Sequence, residues 1–375
     1  MRANSRGMGL YIHIPFCVSK CAYCDFLSFD GMGKTAMRQY TDALLAEMKA
    51  AHNELDAAVD TVYIGGGTPT ALPSDLLCEI LLEAKRFNLL PGAEITLEMN
   101  PSTGSLSALL DYKGHGINRL SIGLQAWQDH LLWGLKRAHT ANDFSQTMQD
   151  ARAAGIDNIN VDLMFALPGQ TMDHWRESIT QVINHAPEHV SAYSLTPAEN
   201  TPLWDELEAG KTRLPCETTD RAMYHEAINL LKAAGYRHYE LSNFAKPGLE
   251  SRHNVNCWRL KPYRGFGLGA HSFDGKKRWN NTSDMGRYLR LPSREDVVIL
   301  STQDAMAEMM ILGLRMTDGV NPQDFYDNFG KQITDCYGAK LEELTARGLL
   351  ISTDKKIALT PLGMDLANQV FEAFL

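Results

Sequence analysis

"GLYIHIPFCVSKCAYCDF", residues 9–26, decides the reading of this chain. Its first six residues are mostly β-branched, aromatic or aliphatic, which is strand material, and Pro15 ends the run. Directly behind it stand Cys17, Cys21 and Cys24, three thiols within eight residues. An odd number cannot all pair, and gaps this short would strain a disulfide, so a metal or cluster fits better. Seven cysteines in 375 residues are too sparse for a disulfide scaffold and point to a reducing, cytoplasmic setting. Cys78, Cys216, Cys257 and Cys336 are scattered and read as buried or incidental thiols.

Outward from this stretch the chain repeats one rhythm: a short apolar run, a turn, then an amphipathic helix. After 9–14, strands are expected over 61–65, 94–99, 119–124, 158–165 and 189–195. Helical spacing falls at 36–55, 74–87 and 174–186, with "NPST" and "LPGQT" supplying turn and capping residues. Six such units with Val/Ile/Leu-rich strands predict a parallel sheet, either an open doubly wound one or a full or partial barrel. Either arrangement binds ligands at the C-terminal ends of its strands. There the cysteine loop follows the first strand and "GGGTPT" (65–70) the second. Glu98 and Gln125 end the third and fourth, and Asp162 lies in the fifth.

The rhythm changes beyond residue 240. Residues 236–273 are rich in aromatics, Gly and Pro and show no clear period. Helices are then expected near 303–316, 321–329 and 332–347, a hairpin turning at Thr353–Lys355, and a last helix from Pro361 to Phe374. That order of helices and β-wing predicts a winged-helix-like module at 301–375. It leaves 1–235 as the barrel and 236–300 as a connecting region.

Bulk composition narrows the function classes. The chain is 44% hydrophobic and 22% charged, ordinary for a globular protein, and 36 basic against 45 acidic residues give a net charge of −9. That balance argues against a general nucleic-acid or anionic-membrane binder, so the C-terminal module reads as a packing unit rather than a DNA reader. No apolar run approaches the roughly 20 residues of a membrane span. The N-terminal stretch reads as a strand rather than a signal peptide.

Three thiolates can occupy three corners of a [4Fe–4S] cube, leaving one iron open to a ligand. A zinc site would need a fourth ligand nearby, and only His13 or Asp25 could serve. The glycines of "GGGTPT" are expected to let backbone approach a ligand and expose N–H groups to it. Glu98 stands in an apolar strand, where a carboxylate needs a partner such as a ligand amine, ribose hydroxyls or a barrel cation.

The ordered set "YIHIPFCxxxCxYCDF", "GGGTPT", "ITLEMNP", "RLSIGLQAW", "LKRAH", "NVDLMFALPGQT", "YELSNFAKPG" and "HNVNCW" resembles the radical S-adenosylmethionine (SAM) superfamily. Specifically, it is similar to the coproporphyrinogen-oxidase-like branch, and within that to its heme chaperones. The resemblance implies an α/β fold: a partial (β/α)6 radical SAM barrel with a C-terminal α+β, winged-helix-like domain. It also implies that Cys17, Cys21 and Cys24 ligate the cluster. SAM would chelate the open iron and be cleaved to methionine and a 5′-deoxyadenosyl radical by an electron from the cluster. Gly66, Gly67 and Thr68 would contact SAM, flanked by Tyr11 and Tyr23. Glu98, Gln125, Arg137 and Asp162 match further positions, some of which can hold a second SAM. "HNVNCW" resembles the HNxxYW motif linked to heme handling, which makes His253 a candidate axial ligand; Cys257 replaces the motif's tyrosine.

The resemblance leaves two principal functions. One is a heme chaperone that binds heme and passes it to apo-hemoproteins, including membrane-associated respiratory enzymes, with an electron donor for the cluster. The other is oxygen-independent coproporphyrinogen III oxidase, with a further tetrapyrrole-modifying radical SAM enzyme behind it. The decarboxylase pattern places another cysteine two residues after the third, where this chain has Phe26. Decarboxylases also carry a long arm ahead of the cysteines, and only sixteen residues precede Cys17 here. Both differences favour the chaperone.

Overall fold

The chain is described by a computed structural model over residues 7–375. The reading of the N-terminus therefore falls partly on residues 1–6, which lie outside the described residues.

Six parallel strands form the frame: β1 (Met8–Ile14), β2 (Val59–Gly66), β3 (Leu89–Met99), β4 (Arg119–Gln125), β5 (Ile159–Phe165) and β6 (His189–Ser194). They lie side by side in sequence order, each pairing parallel with the next. A doubly wound sheet reverses direction at a switch point, whereas sequential order keeps every crossover helix on one face and curls the sheet. The open-sheet alternative is thereby set aside. The other face of the sheet becomes a lumen.

Side-chain alternation sorts residues between the two faces. Leu10, Ile12 and Ile14 of β1 are fully buried, in one core with Tyr40, Leu44 and Met48 of the helix Lys34–Ala51. Each such burial stabilises by roughly 1.5–3 kcal/mol. Between them Gly9, Tyr11 and His13 turn to the lumen, as do Thr61 and Tyr63 of β2 and Glu94 and Glu98 of β3. The lumen is polar where the outer face is apolar.

Residues 236–300, which showed no clear period, hold further strands that extend this same sheet at both edges. β7 (Arg237–Glu240) and β8 (Asn243–Ala245) continue it antiparallel beyond β6. On the other side β9 (Tyr263–Phe266) runs parallel to β1, followed by β10 (His271–Phe273), β11 (Lys277–Asn281) and β12 (Arg294–Ile299). The result is a sheet of 12 strands. Between its two flanks the short helix Arg252–Trp258 crosses the lumen floor.

Helices Thr302–Gly313, Pro322–Phe329 and Ile333–Ala346 and the hairpin β13 (Leu350–Ser352) and β14 (Ile357–Leu359) form a separate core around Met310, Phe325, Leu341 and Val370. The expected last helix is two, Pro361–Asp365 and Ala367–Glu372, broken at Leu366. The module is tied to β7 by Leu241 N–H to Arg315 O (3.1 Å) and Thr317 N–H to Tyr239 O (3.0 Å). No helix among the described residues is long and apolar enough to cross a membrane.

Candidate active site

The C-terminal ends of the parallel strands open on a cavity of about 560 Å³, within the usual range for small-molecule sites. Cys17, Cys21 and Cys24 stand at its mouth, all three as free thiols. Their loop is pinned by Cys17 N–H to Phe29 O (2.9 Å) and Ala22 N–H to Leu135 O (3.0 Å). Burial pushes the Cys17 and Cys24 thiols up. A cation bound there would reverse that by making them thiolates.

One polar chain joins two of the cysteines. The Thr68 hydroxyl donates to Cys17 Sγ at 3.8 Å and accepts from Asn100 Nδ2 at 2.9 Å. The Asn100 Oδ1 accepts from Arg137 at 2.6 Å, and the same guanidinium donates to Cys21 Sγ at 3.5 Å. Donors aimed at sulfur are what a thiolate ligand needs, and they adjust the potential of a bound cluster. Asn100 was not singled out from the sequence, although its place at the end of β3 marked it.

His13 does not complete a metal site. One ring nitrogen meets the Tyr11 hydroxyl at 2.9 Å and the other the Leu27 carbonyl at 2.9 Å. Among the described residues, no group of three His, Cys, Asp or Glu closes around a single ion. Thiols holding separate corners of a cube stand further apart than ligands of one zinc. The donor set, three free thiols with N–H and O–H partners, fits a [4Fe–4S] cluster.

The glycine turn differs from its expected role. A Cβ on Gly66 would lie 2.4 Å from His13 Nδ1, and one on Gly67 2.6 Å from the Phe16 carbonyl oxygen. The N–H groups of Gly66, Gly67 and Thr68 donate to Glu98 (3.1 Å), Ile14 O (2.8 Å) and Phe16 O (2.7 Å). They are thus spent inside the protein and not offered to a ligand. All three residues still line the cavity.

Glu98 also lines it, accepting from the Tyr63 hydroxyl at 2.6 Å. Burial, with Asp162 adding to it, pushes its carboxyl up to about 7. Asp162 accepts from Asn160 (2.8 Å) and Ser121 (3.3 Å) and is likewise raised by burial. Gln125 holds a left-handed φ of 72° and accepts from the Tyr193 hydroxyl at 3.0 Å. Strained backbone at a non-glycine residue concentrates at binding sites, and here it turns Gln125 to the cavity. Arg137 and Tyr23 line it too.

Two candidates are not brought to the cavity wall. Tyr11 stacks behind Tyr63 at 6.3 Å between ring centroids. His253 lies on the floor, 6% exposed, with Nδ1 at 3.0 Å from the Thr61 hydroxyl and its ring 5.1 Å from that of Tyr63. Its backbone N–H and that of Arg252 both donate to the Glu94 carboxylate at 3.0 Å, seating the helix N-terminus. Burial lowers the imidazole to about 4, so it is neutral.

Comparison with known proteins assigns the class. Residues 11–182 match the radical SAM superfamily and residues 300–366 the HemN C-terminal domain. The structure of coproporphyrinogen III oxidase (HemN) from Escherichia coli superposes with a TM-score of 0.86 at 22% identity, covering 99% of this chain and 91% of that one. Fold and matched residues together make this a radical SAM protein with a HemN-type C-terminal domain. The chain belongs, more narrowly, to the HemW family. It is 35% identical to the heme chaperone HemW of Bacillus subtilis over 97% of this chain and 98% of that one. With the heme chaperone HemW of Escherichia coli it shares 33% identity over 98% of each. Membership implies a [4Fe–4S] cluster and SAM.

Proposed function

We propose that this chain is a cytoplasmic heme chaperone of the HemW type, which binds heme and delivers it to apo-hemoproteins. The observation that carries this is its similarity, over almost the full length of both chains, to proteins named heme chaperones. Phe26, 62% exposed, supports it by occupying the position where the decarboxylase pattern has a cysteine.

In this reading Cys17, Cys21 and Cys24 hold the cluster, whose contribution when reduced is an electron for SAM. The chain itself binds and orients SAM. Glu98 offers a carboxylate for an ammonium or for ribose hydroxyls, while Gln125, Arg137, Asp162 and Thr68 supply polar contacts around it. A cation on Glu98 drives off the proton that burial retains, so SAM binding is expected to release a proton below about pH 7. Titration calorimetry in buffers of different ionisation enthalpy reads that release. Equal apparent enthalpies would remove Glu98 from the contact.

Heme iron reaches His253 only if the helix Arg252–Trp258 lifts from Glu94. Weaker heme binding and an altered Soret band in His253→Ala support that opening. Unchanged affinity and spectrum leave His253 as a floor residue.

A second reading, coproporphyrinogen III oxidation, is favoured by the HemN-like fold and by the intact constellation around the cavity. The deciding experiment places both activities in one reconstituted, anaerobic sample. Stoichiometric heme binding without turnover of coproporphyrinogen III supports the chaperone. Decarboxylation with SAM and reductant overturns it.

A further inference from the structure

Beneath the SAM-type site, at the start of β4, the lumen holds a cation with no direct partner among the described residues. Arg119 is 2% exposed and lines the cavity. Among the described residues its guanidinium makes no hydrogen bond, ion pair or ring contact, and its Nε is buried without a partner. Arginine does not shed its proton in a protein, so the charge stays. A buried unpaired cation is costly, and the usual remedy is an anion.

The neighbouring carboxyls Glu98 and Asp162 are close enough to feel the Arg119 charge but make no hydrogen bond or ion pair with it. Glu98 is engaged by Tyr63 and Gly66, and Asp162 by Asn160 and Ser121. Nor does His189, which bridges the Asn160 Oδ1 (2.6 Å) and the Tyr239 hydroxyl (2.8 Å). A second orphan stands beside the first. Thr96 is the register partner of Arg119 on β3, and its hydroxyl is buried without a partner. A planar fork with a free hydroxyl at its flank is the donor arrangement that suits a carboxylate.

We propose that Arg119 and Thr96 form a second, deeper subsite at the barrel floor, which takes one carboxylate of a small organic acid. It opens on the same cavity as the cysteines and the residues assigned to SAM but uses none of them, and it stands whether or not the chain carries heme. The carboxylate comes either from a free short-chain acid or from the end of a longer ligand reaching down the cavity.

The test uses the full chain without added cluster, titrated with propionate, with methionine as a carboxylate on a longer body, and with inorganic phosphate. Saturable one-to-one binding of propionate or methionine is expected, followed by calorimetry or ligand-observed NMR. Arg119→Gln should weaken it at least roughly tenfold, and Arg119→Lys, which keeps the charge but not the fork, by less. Thr96→Val, which removes only the unpaired hydroxyl, should weaken it several-fold and serves if the Gln variant fails to fold. Propionate binding alone identifies a free acid; methionine alone identifies the end of a longer ligand. Phosphate bound as well as both makes the site a general oxyanion site and overturns the carboxylate assignment. No saturable binding by the wild type, or equal binding by Thr96→Val and Arg119→Lys, means that water solvates the arginine and overturns the proposal.

Discussion

Glu98 contributes to the pH behaviour of the ligand-free protein. A carboxyl raised by burial from 4.5 to about 7 stabilises the fold fully below the lower value, and that stability is lost as pH rises through the upper one. The protein is expected to lose roughly 1–3 kcal/mol across that window, and Glu98→Gln to lose less. Chemical denaturation at about pH 5 and about pH 8 measures both, and equal losses would refute the assignment. Cys21→Ala is expected to abolish the visible charge-transfer absorption of the reconstituted protein, and persistence of a full complement of iron would contradict the ligand set. At this scale the sequence was legible wherever a residue broke its context. Three crowded thiols, and carboxyls in apolar strands, stand out because such placements cost free energy unless used. Asn100 and Arg119 were not legible: a polar residue at a strand end is unremarkable until its partners, or their absence, are known.

The glycine turn and the polar chain behind the cysteines act as single elements. Gly67→Ala would press a methyl to 2.6 Å from the Phe16 carbonyl oxygen, where the obstacle is backbone and does not yield. A loss of about 1–3 kcal/mol or more is expected, with displacement of the cysteine loop; an unchanged melting temperature would show the turn to be slack. Asn100→Ala breaks the link from Thr68 to Arg137, leaving one Arg137 N–H without its acceptor and the Thr68 oxygen without its donor, at roughly 1–3 kcal/mol. Lower iron retention after reconstitution is the accompanying readout. The six parallel strands were readable because each carries Val, Ile or Leu on the face toward the helices, and a helical pattern separates one from the next. The strands of 236–300 were not, since most are three to five residues long and too short to show a period.

Between barrel and C-terminal module, apolar packing of Met316 on Tyr239 and Ala245 is joined by ion pairs such as Arg278–Glu308 (2.8 Å). Glu240 is fully buried, and Arg315 of the module approaches it at 3.9 Å. Burial raises the Glu240 carboxyl, with Arg315 opposing. Removing the cation in Arg315→Ala should cost a few kcal/mol and uncouple the two cores, seen as a second unfolding transition; one unshifted transition would refute it. The pairing of β1 has a consequence for how the chain is made. One neighbour, β2, follows within about fifty residues, but the other, β9, begins at Tyr263. Until that strand leaves the ribosome, one edge of an apolar strand is open to whatever it meets. Synthesis, rather than the finished fold, is where this protein most needs protection.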